Sequence, residues 1–242
     1  MKNKINAIEE LYISCMNCTN TEKECKGIWK DFAKGIPPRG FKYNTVPVKI
    51  LVVSKNPGHP LKGEPEKYIG KSGMSLYQAY RQHQIDTYYN LDKIKDRSLV
   101  FHRNLFRYIS FFLDKRNSID ILSLNNKDIF SRKNIDIIYQ VMSHTNLMKC
   151  STTGERDRLD KTTMKVCSEK YLLDEIRLLR PKVLLALGGE VATFLNRMKK
   201  KHELPPVIRI KHPSYFYRKE IEYETLLRIK DQITQCLKIS GQ

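Results

Sequence analysis

The apolar residues of this chain gather in short runs rather than in long stripes. Residues 49–54, KILVVS, form an apolar, β-branched run that stops at the turn sequence Lys55-Asn56-Pro57-Gly58. The pattern predicts a buried strand delivering a loop. A second run, around Gln140 to Leu147, also ends in polar residues. Further on, Leu172, Leu173, Ile176 and Leu179 recur at helical spacing behind Ser168, a suitable N-cap, and Pro181 marks the end of that helix. A strand is expected at once, because KVLLALG at 182–188 is too short and too continuously apolar for an amphipathic helix. Gly188-Gly189 then turns the chain into a helix over about Glu190 to Lys200. After Pro205-Pro206, VIRIKHPS at 207–214 reads as one more strand ending in a loop.

Strands alternating with helices predict an α/β fold with a mainly parallel sheet, in which ligands bind at the loops leaving the carboxyl ends of the strands. A length of 242 residues suffices for one domain with its own core, and a single domain over 1–242 is expected. The region 75–140 has another texture, with aromatics beside basic residues, as in Tyr80-Arg81 and Phe106-Arg107. At helical spacing most of these aromatics are expected in the core rather than on a contact surface.

Charge narrows the class of partner. Lys plus Arg number 44 against 26 Asp plus Glu, a net +18, far beyond what solubility asks of a small domain. The basic residues are scattered along the chain, so a folded surface carries the field, and nucleic acid is the expected partner. The N-terminus has no uninterrupted apolar stretch of the kind that directs secretion, and no later segment approaches the roughly 20 apolar residues that span a bilayer. The protein is therefore expected to be a cytoplasmic monomer without a membrane partner.

In a reducing compartment the six cysteines are expected as metal ligands, reactive thiols or small buried residues rather than disulfides. Cys15 and Cys18 have the two-residue spacing of a chelate, and Cys150 and Cys167 form a second, distant pair. Two pairs make a tetrathiolate site, which either zinc or an iron–sulfur cluster satisfies. A zinc site using Cys25 in place of a distant cysteine stays open, and Cys236 is left over.

Taken in order, Cys15, Cys18, VVSKNPG, YIGKSG at 68–73, TNLMKC at 145–150, Cys167, RPKVLLALGGEVATFL and HPS at 212–214 resemble the iron–sulfur (family 4) uracil-DNA glycosylases. The likeness covers most of the chain outside about 75–140, which is longer here than the family has between these motifs. It implies a three-layer fold with a central four-stranded parallel sheet flanked by helices. It also implies a structural [4Fe–4S] cluster on Cys15, Cys18, Cys150 and Cys167, with zinc the lesser candidate.

Breaking a pyrimidine N-glycosidic bond puts negative charge on the departing base and positive charge on the sugar, so the enzyme needs donors at the base and a held water. His212 matches the family's catalytic histidine, which donates to the base O2. The loop departs from the family, with Ser54, Lys55 and Asn56 where glycine, glutamate and alanine are usual. Asn56 instead resembles the mismatch-specific thymine and uracil glycosylases, in which this residue positions the attacking water. Gly58 stands where the most uracil-restricted enzymes carry a tyrosine that blocks the base 5-position, so a 5-substituted pyrimidine is expected to fit beside Ser54 and Gly58.

Tyr68 falls where the family stacks an aromatic on the flipped base. Asn146 matches the reader of the base's Watson–Crick edge, but a carboxamide serves uracil in one orientation and cytosine in the other. What locks it is not visible in the sequence. YIGKSG lacks the earlier glycine of a phosphate-binding loop, with Pro65 in its place, so Lys71 and Ser72 read as contacts to DNA phosphate. Beyond His212, the segment Ser214, Tyr215, Phe216 and Arg218 matches the loop that enters the minor groove and fills the space the base vacates. The expectation is a monofunctional DNA glycosylase acting in DNA repair on uracil or a 5-substituted pyrimidine. The alternatives are a glycosylase for modified cytosine in viral DNA, which would serve antiviral defence, and a non-catalytic iron–sulfur DNA-binding protein.

Overall fold

A computed structural model describes residues 2–18, 28–29, 41–42, 48–55, 57, 65–91, 93, 100–113, 129–152, 161–214 and 223–238 of the chain. Its first third runs α1 (Lys2–Met16), β1 (Ile28–Trp29), β2 (Phe41–Lys42), β3 (Ile50–Ser54), a 3-10 turn (Pro65–Tyr68) and α2 (Gly73–Tyr89). The middle adds α3 (Val100–Leu113), α4 (Arg132–Val141), β4 (Met142–Asn146), β5 (Ser151–Thr152), α5 (Lys161–Cys167), a π turn (Ser168–Leu172) and α6 (Leu173–Leu179). The last part holds β6 (Val183–Leu187), α7 (Gly189–Lys199), β7 (Val207–Ile210) and α8 (Tyr223–Lys238).

The main sheet has the strand order β2-β4-β3-β6-β7. Its central four strands are parallel and have helices around them, as expected. The two-residue β2 adds an antiparallel edge, with Phe41 opposite Thr145 and Lys42 opposite His144. β6 and β7 pair from Leu184–Val207 to Leu187–Ile210. Every residue of β3, β4 and β6 is buried, as strands covered on both faces must be. β1 and β5 make a separate antiparallel ribbon.

The chain divides into two compact units. One comprises Met1–Pro47, Val53–Gln84 and His144–Arg180. There Tyr12 of α1 meets Tyr77 of α2 edge-on at 4.6 Å, and the Tyr171 hydroxyl donates to the Ser14 carbonyl at 3.4 Å. The other comprises Val48–Val52, Ile85–Ser143 and Pro181–Gln242. Its core packs Ile50 and Val52 with Phe106, Phe111, Leu185 and Ile233. Most aromatics of 75–140 are core residues as expected: Tyr80, Tyr88, Phe106, Tyr108, Phe111 and Phe112 are all buried, and Tyr89, Phe101 and Tyr139 are partly buried against them.

One expectation fails. Ser168 caps no helix, because α5 already begins at Lys161 and the helical path continues through Ser168 into α6. Its hydroxyl donates to the Leu147 carbonyl at 3.0 Å, the bond that lets a serine lie buried inside a helix. The far end behaves as the sequence predicts: Arg180 takes the left-handed conformation, φ 48° and ψ 53°, and Pro181 cannot continue the helix.

Candidate active site

In the first unit, β3 and β4 end side by side, the Leu147 N–H donating to the Ser54 carbonyl at 2.8 Å. β4 reads MSHTN and is wholly buried although four of its five residues are polar. Polar groups removed from water need partners. The side chains split by the strand's two-residue period, His144 and Asn146 to one face and Thr145 to the other.

On the first face, Ser54 Oγ lies 2.7 Å from His144 Nε2, and the Ser54 hydroxyl also donates to Asn146 Oδ1. On the second, the Thr145 hydroxyl meets both carboxylate oxygens of Glu175 at 2.9 Å, and Lys149 Nζ bonds Thr145 Oγ1 and the Asn146 carbonyl, each at 2.7 Å. Lys149 and Glu175 form a fully buried ion pair. Burial pushes the Lys149 ammonium down to about 7 and the Glu175 carboxyl well up. Neither group tolerates the loss of the other. Two of the sequence-predicted base contacts, Ser54 and Asn146, are thus brought together, and the sequence reading missed His144, Lys149 and Glu175. The signal for His144 was its position two residues before Asn146, which shares a face only once the segment is known to be a strand.

The other predicted residues of this unit sit as follows. Tyr68 is buried, its ring 6.0 Å from Tyr80 and 6.2 Å from His83, both edge-on. Lys71 and Ser72 are exposed. Asn56 and Gly58 lie outside the described residues.

The four cysteines of the expected cluster share one neighbourhood in this unit. Cys15 is buried, its thiol pushed up by burial and by a hydrogen bond with Cys150, with Cys167 also close enough to act on it. The Tyr171 hydroxyl is hydrogen-bonded to Cys18 and feels Cys15 and Cys167. Lys170 Nζ is 3.9 Å from Cys18 Sγ. Among the described residues, no three His, Cys, Asp or Glu side chains form a group able to hold a metal ion. Cys25 lies outside the described residues, and Cys236 packs against the core of the second unit.

In the second unit, β7 delivers His212. The Ser214 backbone N–H donates to His212 Nδ1 at 3.3 Å, which leaves the imidazole proton on Nε2. Burial lowers the His212 pKa from its ordinary value, favouring the neutral ring. The ring lies 5.3 Å from that of Phe101. Gly188 brings its backbone beside it: a Cβ there would stand 3.8 Å from His212 Cβ, and its φ of +91° suits glycine alone. The next residue is held by α3, where Asn104 Nδ2 donates to the Pro213 carbonyl at 2.7 Å and Arg107 in turn donates to Asn104 Oδ1 at 3.2 Å. Asn104 and Arg107 come from the long 75–140 region, and no motif marked them. Ser214 is exposed. Tyr215, Phe216 and Arg218 lie outside the described residues.

Against known families, the model of the uracil DNA glycosylase superfamily matches residues 41–234. This chain belongs to the uracil DNA glycosylase superfamily. The match runs from β2 into α8 and so takes in the ends of β3 and β4, the His212 loop and Asn104. Members of the superfamily are DNA glycosylases, and DNA is their partner. Among solved structures, a tyrosine-to-glycine mutant of UNG from Nitratifractor salsuginis is similar over 98% of this chain and 98% of its own, at 14% identity and a TM-score of 0.44. No curated protein sequence matches the chain. Among the described residues no helix is long and apolar enough to cross a membrane.

Proposed function

We propose that this superfamily member is a monofunctional glycosylase that hydrolyses the bond between deoxyribose and a flipped-out uracil or 5-substituted pyrimidine, leaving an abasic site. The observation that carries the reading is His212. With Nδ1 engaged by the Ser214 N–H, the ring is a fixed Nε2–H donor, and its depressed pKa keeps it neutral at physiological pH. A neutral donor aimed at a base oxygen gains strength as negative charge develops there, which lowers the barrier without transferring the proton first. Asn146 reads the base edge, Tyr68 bounds the base pocket, and Asn56 positions the attacking water. Lys71 and Ser72 hold phosphate, with Arg218 beyond the histidine. Tyr215 and Phe216 occupy the gap left in the duplex.

Cys15, Cys18, Cys150 and Cys167 are the residues that would hold a [4Fe–4S] cluster. The donor set fits: four thiols from two distant segments gathered round Tyr171 and Lys149. A four-iron cluster takes one thiolate at each iron, which matches four cysteines in number. When bound it would tie α1 to the β5–α5 segment as a structural cross-link. The chain would then resemble the iron–sulfur type of the superfamily, with the SKNPG loop as its own variation.

The test is base release from labelled duplex and single-stranded DNA containing uracil, a thymine mismatch, 5-hydroxymethylcytosine or its glucosylated form, with His212→Ala and Asn56→Ala as controls. Release of uracil lost in both variants is the expected result. Release only from modified cytosine would move the protein to an enzyme of viral DNA, and absence of release from every substrate would sink the catalytic reading. Iron and sulfide analysis of anaerobic protein tests the cluster, with loss of iron expected in Cys15→Ser.

A further inference from the structure

Ser54 and His144 take no part in the chemistry above, yet Ser54 bonds Asn146 and His144 bonds Ser54. Asn146 is 1% exposed. Its Oδ1 accepts from the Ser54 hydroxyl, and its Nδ2 has no hydrogen-bond partner among the described residues. A buried amino group left unmet is costly, so the place it faces suits a ligand acceptor.

The order of protons follows from the Ser54–Asn146 bond, the Thr145 carbonyl at 3.4 Å from Ser54 Oγ being the weaker acceptor for the same proton. A serine hydroxyl has one proton. Given to Asn146 Oδ1, that proton is not available for His144, so Ser54 Oγ must accept from His144 Nε2, 2.7 Å away. The relay therefore runs from His144 Nε2–H to Ser54 Oγ–H to Asn146 Oδ1. With the imidazole proton on Nδ1 instead, Nε2 would take the serine proton, Ser54 would accept from the carboxamide nitrogen, and the amide would turn over.

We propose that Ser54 and His144 are positioning residues that lock the Asn146 carboxamide with its amino group offered to the base, so that the site reads one Watson–Crick pattern and rejects its inverse. This rests on the reading of Asn146 as the base-edge contact. A 4-oxo pyrimidine presents an acceptor at position 4 and a donor at N3, and a 4-amino pyrimidine presents the reverse. A swivelling carboxamide serves both, whereas a locked one serves a single pattern. Ser54 is also where the loop departs from the iron–sulfur enzymes it resembles, which have a glycine and hence no hydroxyl there.

The matched probes are duplexes carrying 5-hydroxymethyluracil or 5-hydroxymethylcytosine, which share the 5-substituent and present inverse hydrogen-bonding patterns at N3 and position 4; their different leaving-group abilities cancel when the ratio is compared between wild type and variant. Single-turnover release by the wild-type protein is expected to favour one of them. Ser54→Ala is expected to shrink that preference about tenfold, the worth of one lost orienting hydrogen bond. Ser54→Thr keeps the hydroxyl and His144→Gln keeps a donor, and both are expected to preserve the ratio, which a merely structural loss would not distinguish. An unchanged ratio in Ser54→Ala, or equal release by the wild type, would overturn the lock. Nitrogen NMR of histidine-labelled full-length protein tests the relay without catalysis: a proton on His144 Nε2 is expected, and one on Nδ1 contradicts it. A wild type that releases no base from any duplex, with the Nε2 proton present, would defeat the glycosylase reading and leave the relay standing.

Discussion

β4 and β6 belong to one sheet and are both wholly buried, yet one reads MSHTN and the other VLLAL. β6 is held by what surrounds it. Its leucines gain stability in proportion to the area taken from water, and the contribution is divided among many contacts. β4 contains groups whose burial costs free energy unless each meets a particular partner: Ser54 for Asn146, and Glu175 for Thr145, with Lys149 just beyond the strand paired to the same carboxylate. The lesson is that the apolar strand makes the platform tolerant, and the polar strand makes the site specific and brittle.

Breaking the polar side should therefore cost most. Glu175→Leu removes the carboxylate that Lys149 and Thr145 both bond and leaves the buried lysine, its ammonium already pushed down to about 7, to lose its proton or meet the interior without a counter-charge, and a stability loss of about 3–5 kcal/mol is expected in urea denaturation. A loss under about 1 kcal/mol would show that the pair is not what holds β4. Leu185→Ala in β6 should cost about 2–5 kcal/mol through the cavity it leaves, while the release rate per folded molecule stays at the wild-type value. A matching fall in that rate would erase the distinction between platform and site.

His212→Ala lies in neither strand. It should leave the melting temperature in place and reduce single-turnover base release about 10²–10³-fold, the effect of removing one preorganised donor. Asn104→Ala, which frees the Pro213 carbonyl from α3, should slow release about tenfold with little change in substrate affinity. The smallest effect is on pH. Since burial depresses the His212 pKa, the neutral donor persists below the ordinary histidine range. The acid limb of kcat/KM should then have its midpoint below about 6.5 and move or vanish in His212→Gln. For stability the sign is that of a group protonated more readily when unfolded, so the His212 contribution is lost as pH falls from about 6.5 toward the folded pKa.

How much of this was legible follows from the same contrast. β3 and β6 could be read because continuous apolar runs stop ahead of Pro57 and Gly188, and β7 because the β-branched VIRI follows Pro205-Pro206 and ends ahead of Pro213. His212 and Asn146 were singled out through the motifs they sit in. β4 offered only the end of an apolar run, since the burial of its Ser, His, Thr and Asn depends on partners as far away as Ser54 and Glu175. Ser168 misled because a serine ahead of leucines at helical spacing has the same local pattern at a cap as inside a helix. The decisive difference is a bond to Leu147 across the fold. Asn104 had no local signal, because its role is to hold a carbonyl 109 residues away.

The central claim is that the chain hydrolyses a glycosidic bond with His212 as the donor. The most direct measurement is mass-spectrometric detection of free base, paired with counting of alkali-labile sites, after incubating a uracil-containing duplex with wild-type protein or His212→Ala. The account predicts one free uracil per abasic site, with both products nearly abolished in the variant. Free base and abasic sites formed equally by the variant would contradict it.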